Sequence, residues 1–181
     1  MKGGYYMKLI VSQIIGISAV VLYLMSYQLK KRKNIVLANC VSNALYVLQY
    51  ILLGAFSGAA MDALCGVGSF FAGKKHSEKL KNYIKWIAVA NLVAIAVVGI
   101  GISVVQRDPI ELLPVAGALL QTGGLWCEDE QKIRKYGLCS APLWLIYNYL
   151  TQAYGAAIGS VFIMVSAITA MIRYRKTKTS T

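Results

Sequence analysis

The sequence predicts an all-α integral membrane protein with seven transmembrane helices, and three observations carry that expectation. Of its 181 residues 57% are hydrophobic and only 14% are charged, whereas a soluble domain is about half apolar and about a quarter charged. The apolar residues gather in runs approaching bilayer length rather than in amphipathic stripes. The Lys and Arg clusters stand between those runs.

The runs are residues 9–29, 35–53, 58–73, 83–105, 110–126, 136–152 and 156–172. Each is expected to be helical, because a helix satisfies its own backbone donors and acceptors in hydrocarbon. The first follows Lys2 and Lys8 and ends at Lys30-Lys31-Arg32-Lys33; its length marks a retained span rather than a cleaved leader. The second is unusually polar, with Asn39, Ser42, Asn43, Tyr46 and Gln49. The third is short and carries Asp62, the one acid well inside an apolar run. The fourth is the most continuous. Asp108-Pro109 gives the fifth an N-cap and an N1 proline. Pro114 and Pro142 are candidate bends in the fifth and sixth.

Seven crossings put alternate loops on opposite faces, and the positive charges test that assignment independently. Lys30 to Lys33, Lys74 to Lys85, Lys132 to Lys135 and Arg173 to Lys178 fall on one face and hold 16 of the 19 Lys and Arg. Lys2, Lys8 and Arg107 fall on the other. The N-terminus is therefore expected outside and the C-terminus in the cytoplasm.

The net charge of +12 does not point to nucleic acid, since no aromatic-rich basic face accompanies the clusters. Cys40, Cys65, Cys127 and Cys139 lack paired spacing and read as small hydrophobes. Glu111 suits a helix N-terminus, and Glu128-Asp129-Glu130 and His76 suit solvated loops. None of these offers a metal set, and no phosphate loop or nucleophile motif is present. Neither an enzyme nor a cofactor is expected.

Residues 50–62 (YILLGAFSGAAMD) can be laid on residues 147–159 (YNYLTQAYGAAIG), both reading as helix end, tight turn and a helix start rich in small residues. The single membrane domain, 1–181, then divides into a three-helix unit over 9–73, a linker helix over 83–105 and a second unit over 110–172.

Across nearly the whole chain the residues resemble the YgjV family of bacterial inner-membrane proteins. The resemblance is most specific in GIGISVVQRDPIELLPV (99–115), Trp144-Leu145-Ile146-Tyr147-Asn148 and Ile172-Arg173-Tyr174. That family is distantly similar to the PQ-loop carriers, including the SWEET sugar transporters, and so implies two parallel three-helix bundles joined by a linker helix, in the inner membrane. The carriers' second-helix tryptophan matches Trp144, with Val47 at the first-repeat position, and their third-helix asparagine falls near Asp62 and near Gly159 or Ser160. Tyr27-Gln28 stands where they have proline-glutamine.

A charge within the bilayer costs roughly 2.5 kcal/mol or more, so Asp62 is expected to face the bundle interior. Asn43 and Tyr46 share a face of the second helix, and Trp144 and Asn148 lie one turn apart on the sixth. With Ser160 these six form the candidate binding residues. Each also has a plain packing role open to it. Two functions fit: a transporter of a small polar, sugar-like solute by alternating access, or a non-transporting scaffold or regulatory protein. Membrane lipid and a small polar solute are the expected partners, with self-association left open.

Overall fold

The computed structural model describes residues 2–26, 32–75, 77–127 and 130–178. These form seven helices and no strand: α1 (Lys2–Ser26), α2 (Arg32–Leu53), α3 (Phe56–Gly73), α4 (Ile84–Gln106), α5 (Leu112–Trp126), α6 (Glu130–Leu150) and α7 (Tyr154–Lys178). A 3-10 turn, Pro109–Glu111, precedes α5. Tyr27, Gln28, Lys30, Lys31, His76, Glu128 and Asp129 lie outside the described residues.

All seven expected helices are present, but α1, α6 and α7 run beyond their apolar stretches, into Lys2, Glu130 and Lys178. Hydropathy marks where a chain is apolar, whereas a helix continues through Glu, Gln and Lys, which are good helix formers. Asp108 caps the 3-10 turn, its carboxylate accepting from the Ile110 N–H at 2.9 Å. Pro142 lies inside α6, but Pro114 sits in the first turn of α5, where a missing N–H costs little.

By length and composition two stretches qualify as membrane spans, Tyr6–Met25 and Ile84–Gln106. Cys40–Leu53 and Tyr154–Thr169 are shorter apolar helices. α4 is turned inside out relative to a water-soluble helix. It exposes Val89, Val93, Val97 and Val104 while burying Asn91 and Ser103. Asn91 donates to the Leu64 carbonyl of α3 at 3.1 Å. A polar inner face and an apolar outer stripe suit hydrocarbon surroundings. Exposed Ile10, Ile14, Ile17 and Val21 on α1, and Ile158, Val161, Phe162 and Val165 on α7, extend the same surface.

Helix contacts run from α1 to α2, α3, α5, α6 and α7 and back to α1, closing a six-helix ring. α4 lies outside it against α3 and α5. The approach of α1 to α7 depends on Gly155, where a Cβ would lie 3.1 Å from the backbone of Gln13 and Ile17.

The two interhelical turns share one geometry. Between α2 and α3, Gly54 takes φ +74° and Ala55 N–H donates to the Tyr50 carbonyl at 2.9 Å. Between α6 and α7, Gln152 takes φ +61° and Ala153 N–H donates to the Asn148 carbonyl at 2.8 Å. The flanking bonds recur too: Ala59 N–H to Ala55 and Ala157 N–H to Ala153. Gln152 adopts the left-handed conformation that Gly54 adopts without steric cost, and Gln13 Nε2 holds its carbonyl at 2.7 Å.

Equivalent positions are therefore 98 residues apart, as Tyr50 and Asn148 are. This corrects the match of Tyr50 to Tyr147 by one residue. The sequence match followed the shared Gly-Ala-Ala letters, whereas the turn is set by the residue that takes positive φ. In the corrected register Tyr46, not Val47, corresponds to Trp144, and Asp62 corresponds to Ser160.

Candidate functional site

Inside the ring is a narrow cavity with an open volume of about 70 Å³. All six sequence-predicted residues, Asn43, Tyr46, Asp62, Trp144, Asn148 and Ser160, line it. Tyr23, Tyr50, Gln121 and Ser140 complete its polar and aromatic wall. In the 98-residue register these fall largely into pairs: Tyr23 with Gln121, Tyr46 with Trp144, Tyr50 with Asn148, and Asp62 with Ser160. Both halves of the chain supply the same positions with different side chains.

The floor is polar, buried and cross-linked. Tyr50 donates its phenol to Asn148 Oδ1, and Asn148 Nδ2 donates to Ser160 Oγ at 3.4 Å. Beside it the N–H of Gly58 donates to the Tyr147 hydroxyl at 2.9 Å. That N–H lies in the first turn of α3, whose own N-cap, Ala55, has no side-chain acceptor, so α6 supplies the cap from across the ring. At the start of α7 the N–H of Gly155, one residue before the position equivalent to Gly58, donates to Gln13 Oε1 of α1 at 2.9 Å. Each half thus caps a helix of the other. Tyr50, Tyr147 and Trp144 form an aromatic trio, with Tyr50 and Trp144 stacked at 6.4 Å and Trp144 edge-on to Tyr147 at 6.3 Å.

Toward the other end the wall loosens. Tyr23, Tyr46, Gln121, Gly137 and Ile163 are half-buried, whereas Tyr50, Asp62, Asn148 and Ala156 are buried. The less buried lining residues lie toward the end of α1 (Tyr23), the end of α5 (Gln121) and the start of α6 (Gly137), and those nearest the α2–α3 and α6–α7 turns, Tyr50 and Asn148, are buried.

Asp62 is 6% exposed. It also forms part of the floor of an apolar groove between α2 and α3, lined by Val47, Leu48, Val67, Phe70 and Phe71. Neither the cavity nor the groove is lined by a Lys, Arg or His. Among the described residues nothing donates a hydrogen bond to the Asp62 carboxylate and no cation pairs with it. Glu111 stands at the N-terminus of α5, as expected, and is buried beside Ser57, whose hydroxyl donates to the Glu111 carbonyl at 3.3 Å. No group of His, Cys, Asp and Glu that could hold a metal occurs among the described residues.

The sequence does not single out Tyr23, Gln121 or Ser140. For Tyr23 and Gln121 a usable signal was present: polar or phenolic groups inside apolar runs, 98 residues apart; Ser140 has no such lining partner.

A six-helix ring with an apolar exterior and a polar interior defines a helical membrane protein with a central binding-sized cavity. The chain belongs to the Imp-YgjV family, described as bacterial inner membrane proteins, whose sequence model matches residues 10–178. No curated protein and no solved structure matches the chain.

Proposed function

We propose that this inner-membrane protein crosses the bilayer seven times and moves a small polar solute by alternating access. The observation that carries the reading is the cavity itself, built largely from equivalent positions of 9–73 and 110–172 and less buried toward one end. Two three-helix units related by an axis along the helices, with 83–105 as the connecting crossing, would rock about that cavity. The ring of contacts and the common turn register support this arrangement. The helices that fall short on length and composition are those whose polar residues face the cavity. Interior groups lower hydropathy without touching lipid.

In this reading the less buried end faces the cytoplasm, where the positive clusters lie. The floor of Tyr50, Asn148 and Ser160, flanked by Tyr147 and Gly58, is the closed outer gate. No chemistry is assigned to the site, which carries no paired acid and base or activated nucleophile.

Purified protein in proteoliposomes tests the proposal. Solutes that raise its melting temperature should be taken up, and Cys substitutions at Tyr50 and Asn148, once cross-linked, should stop uptake without abolishing binding. A protein that binds solutes but moves none, before or after cross-linking, would instead be a sensor or scaffold.

A further inference from the structure

The geometry points to a small organic cation, an ammonium compound of few heavy atoms, as the ligand of the central cavity. This deepens the transport reading and rests on the same site. Four features of the cavity converge on that class.

First, the cavity holds a buried acid with no internal counter-charge. Asp62 is 6% exposed, and no basic side chain lines the cavity with it. Isolated charge inside a bundle is costly, and a bound cation would offset that cost directly.

Second, the surrounding wall is aromatic. Tyr23, Tyr46, Tyr50 and Trp144 line the same space as Asp62. The faces of Trp and Tyr attract cations, and their attraction grows where water is excluded. A neutral polyol would use neither the charge nor the π faces to the same extent.

Third, the cationic side chains that would favour an anion are missing, although the neutral indole N–H of Trp144 is buried without a partner. The cavity has no Lys, Arg or His, and Asn148, its deepest amide, is already held by Tyr50 and Ser160.

Fourth, the size is restrictive. A water-sized centre takes roughly 10–15 Å³, so an open volume of about 70 Å³ accommodates about five to seven waters. Tetramethylammonium and methylammonium are of that order, and Asp62 would lie on one side of the charge with Trp144 and Tyr46 on another.

The test uses full-length protein in lipid nanodiscs, melted with tetramethylammonium or methylammonium chloride against sodium chloride of equal ionic strength. tert-Butanol, a neutral analogue of similar shape, and xylose serve as comparisons. We expect at least one ammonium ion to raise the melting temperature saturably, and tert-butanol and xylose to have no such effect. Asp62→Asn should weaken ammonium binding at least tenfold. Trp144→Leu should weaken it severalfold, and Gly101→Ala, outside the cavity, should leave it unchanged. If Asp62→Asn fails to fold, the Trp144→Leu result and the comparison with tert-butanol still decide. Equal stabilisation by the neutral compounds, no saturable response to either ammonium ion, or unchanged affinity in both variants would overturn the inference. Uptake separates it from the transport reading. Ammonium binding without uptake keeps the cation site and removes transport, whereas uptake of a neutral solute unaffected by Asp62→Asn removes the cation site and keeps transport.

Discussion

Tyr50 and Asn148 occupy the same place in two turns 98 residues apart, and the phenol of one donates a hydrogen bond to the amide of the other. In the proposed two-fold arrangement, a contact between equivalent positions lies close to the axis. The contact therefore marks where the halves of the ring meet, at the floor of the cavity. Both side chains are buried, so neither has water as an alternative partner.

That contact is measurable as a coupling energy. Tyr50→Phe keeps the ring and removes the donor, and Asn148→Ala removes the acceptor. Each should lower stability by about 0.6–1.5 kcal/mol, the range for interhelical and buried hydrogen bonds. The double variant should cost less than the sum, because the same bond is lost once. Reversible unfolding in mixed micelles reads all three, and strict additivity would show that the bond contributes nothing.

Asp62→Asn should make the protein more stable. Asparagine keeps the shape and removes a buried charge with no partner among the described residues, a change expected to be worth about 1 kcal/mol or more. Natural binding sites commonly hold such groups at a cost in stability. A lower melting temperature for the variant, without ligand, would mean that the carboxylate is a structural tie.

Gly155 and Gly101 should respond oppositely to alanine. A Cβ on Gly155 would meet the α1 backbone at 3.1 Å, whereas one on Gly101 meets nothing within 4 Å. Gly155→Ala should cost about 1–3 kcal/mol by forcing α1 from α7. Gly101→Ala should be neutral or stabilising by up to about 1 kcal/mol through helix propensity. Melting curves of the two proteins provide the comparison.

Topology can be read by labelling single cysteines in a background without the four native ones. Lys79→Cys should react with an impermeant maleimide only after the cytoplasmic face is opened, and Arg107→Cys should react in intact spheroplasts. Both positions are exposed and stand at opposite ends of α4. Labelling of both from the same side would remove the seven-span arrangement.

The helices were legible because α1 and α4 are long and apolar, and because Asp108-Pro109 announces its turn. The candidate residues were legible for a related reason: an acid such as Asp62 or an amide such as Asn43 inside an apolar run has few tolerable places to point. The register was read one residue out. The letters Gly-Ala-Ala recur in both halves, but the positive φ belongs to Gly54 in one and to Gln152 in the other, and a glutamine gives no sequence sign of that conformation. The trans-capping of Gly58 by Tyr147 was likewise hidden, since it joins residues far apart in the chain and depends on how the ring closes.

The pairing of Asp62 with Ser160 has a consequence for stoichiometry. An assembly of two identical half-chains would place either two carboxylates at this level or none, and two acids so close would repel each other or share a proton. A single continuous chain escapes that parity. Under the proposed cation reading, α4 joining unequal halves lets the protein present one carboxylate rather than two to its guest, which would favour a monovalent over a divalent cation.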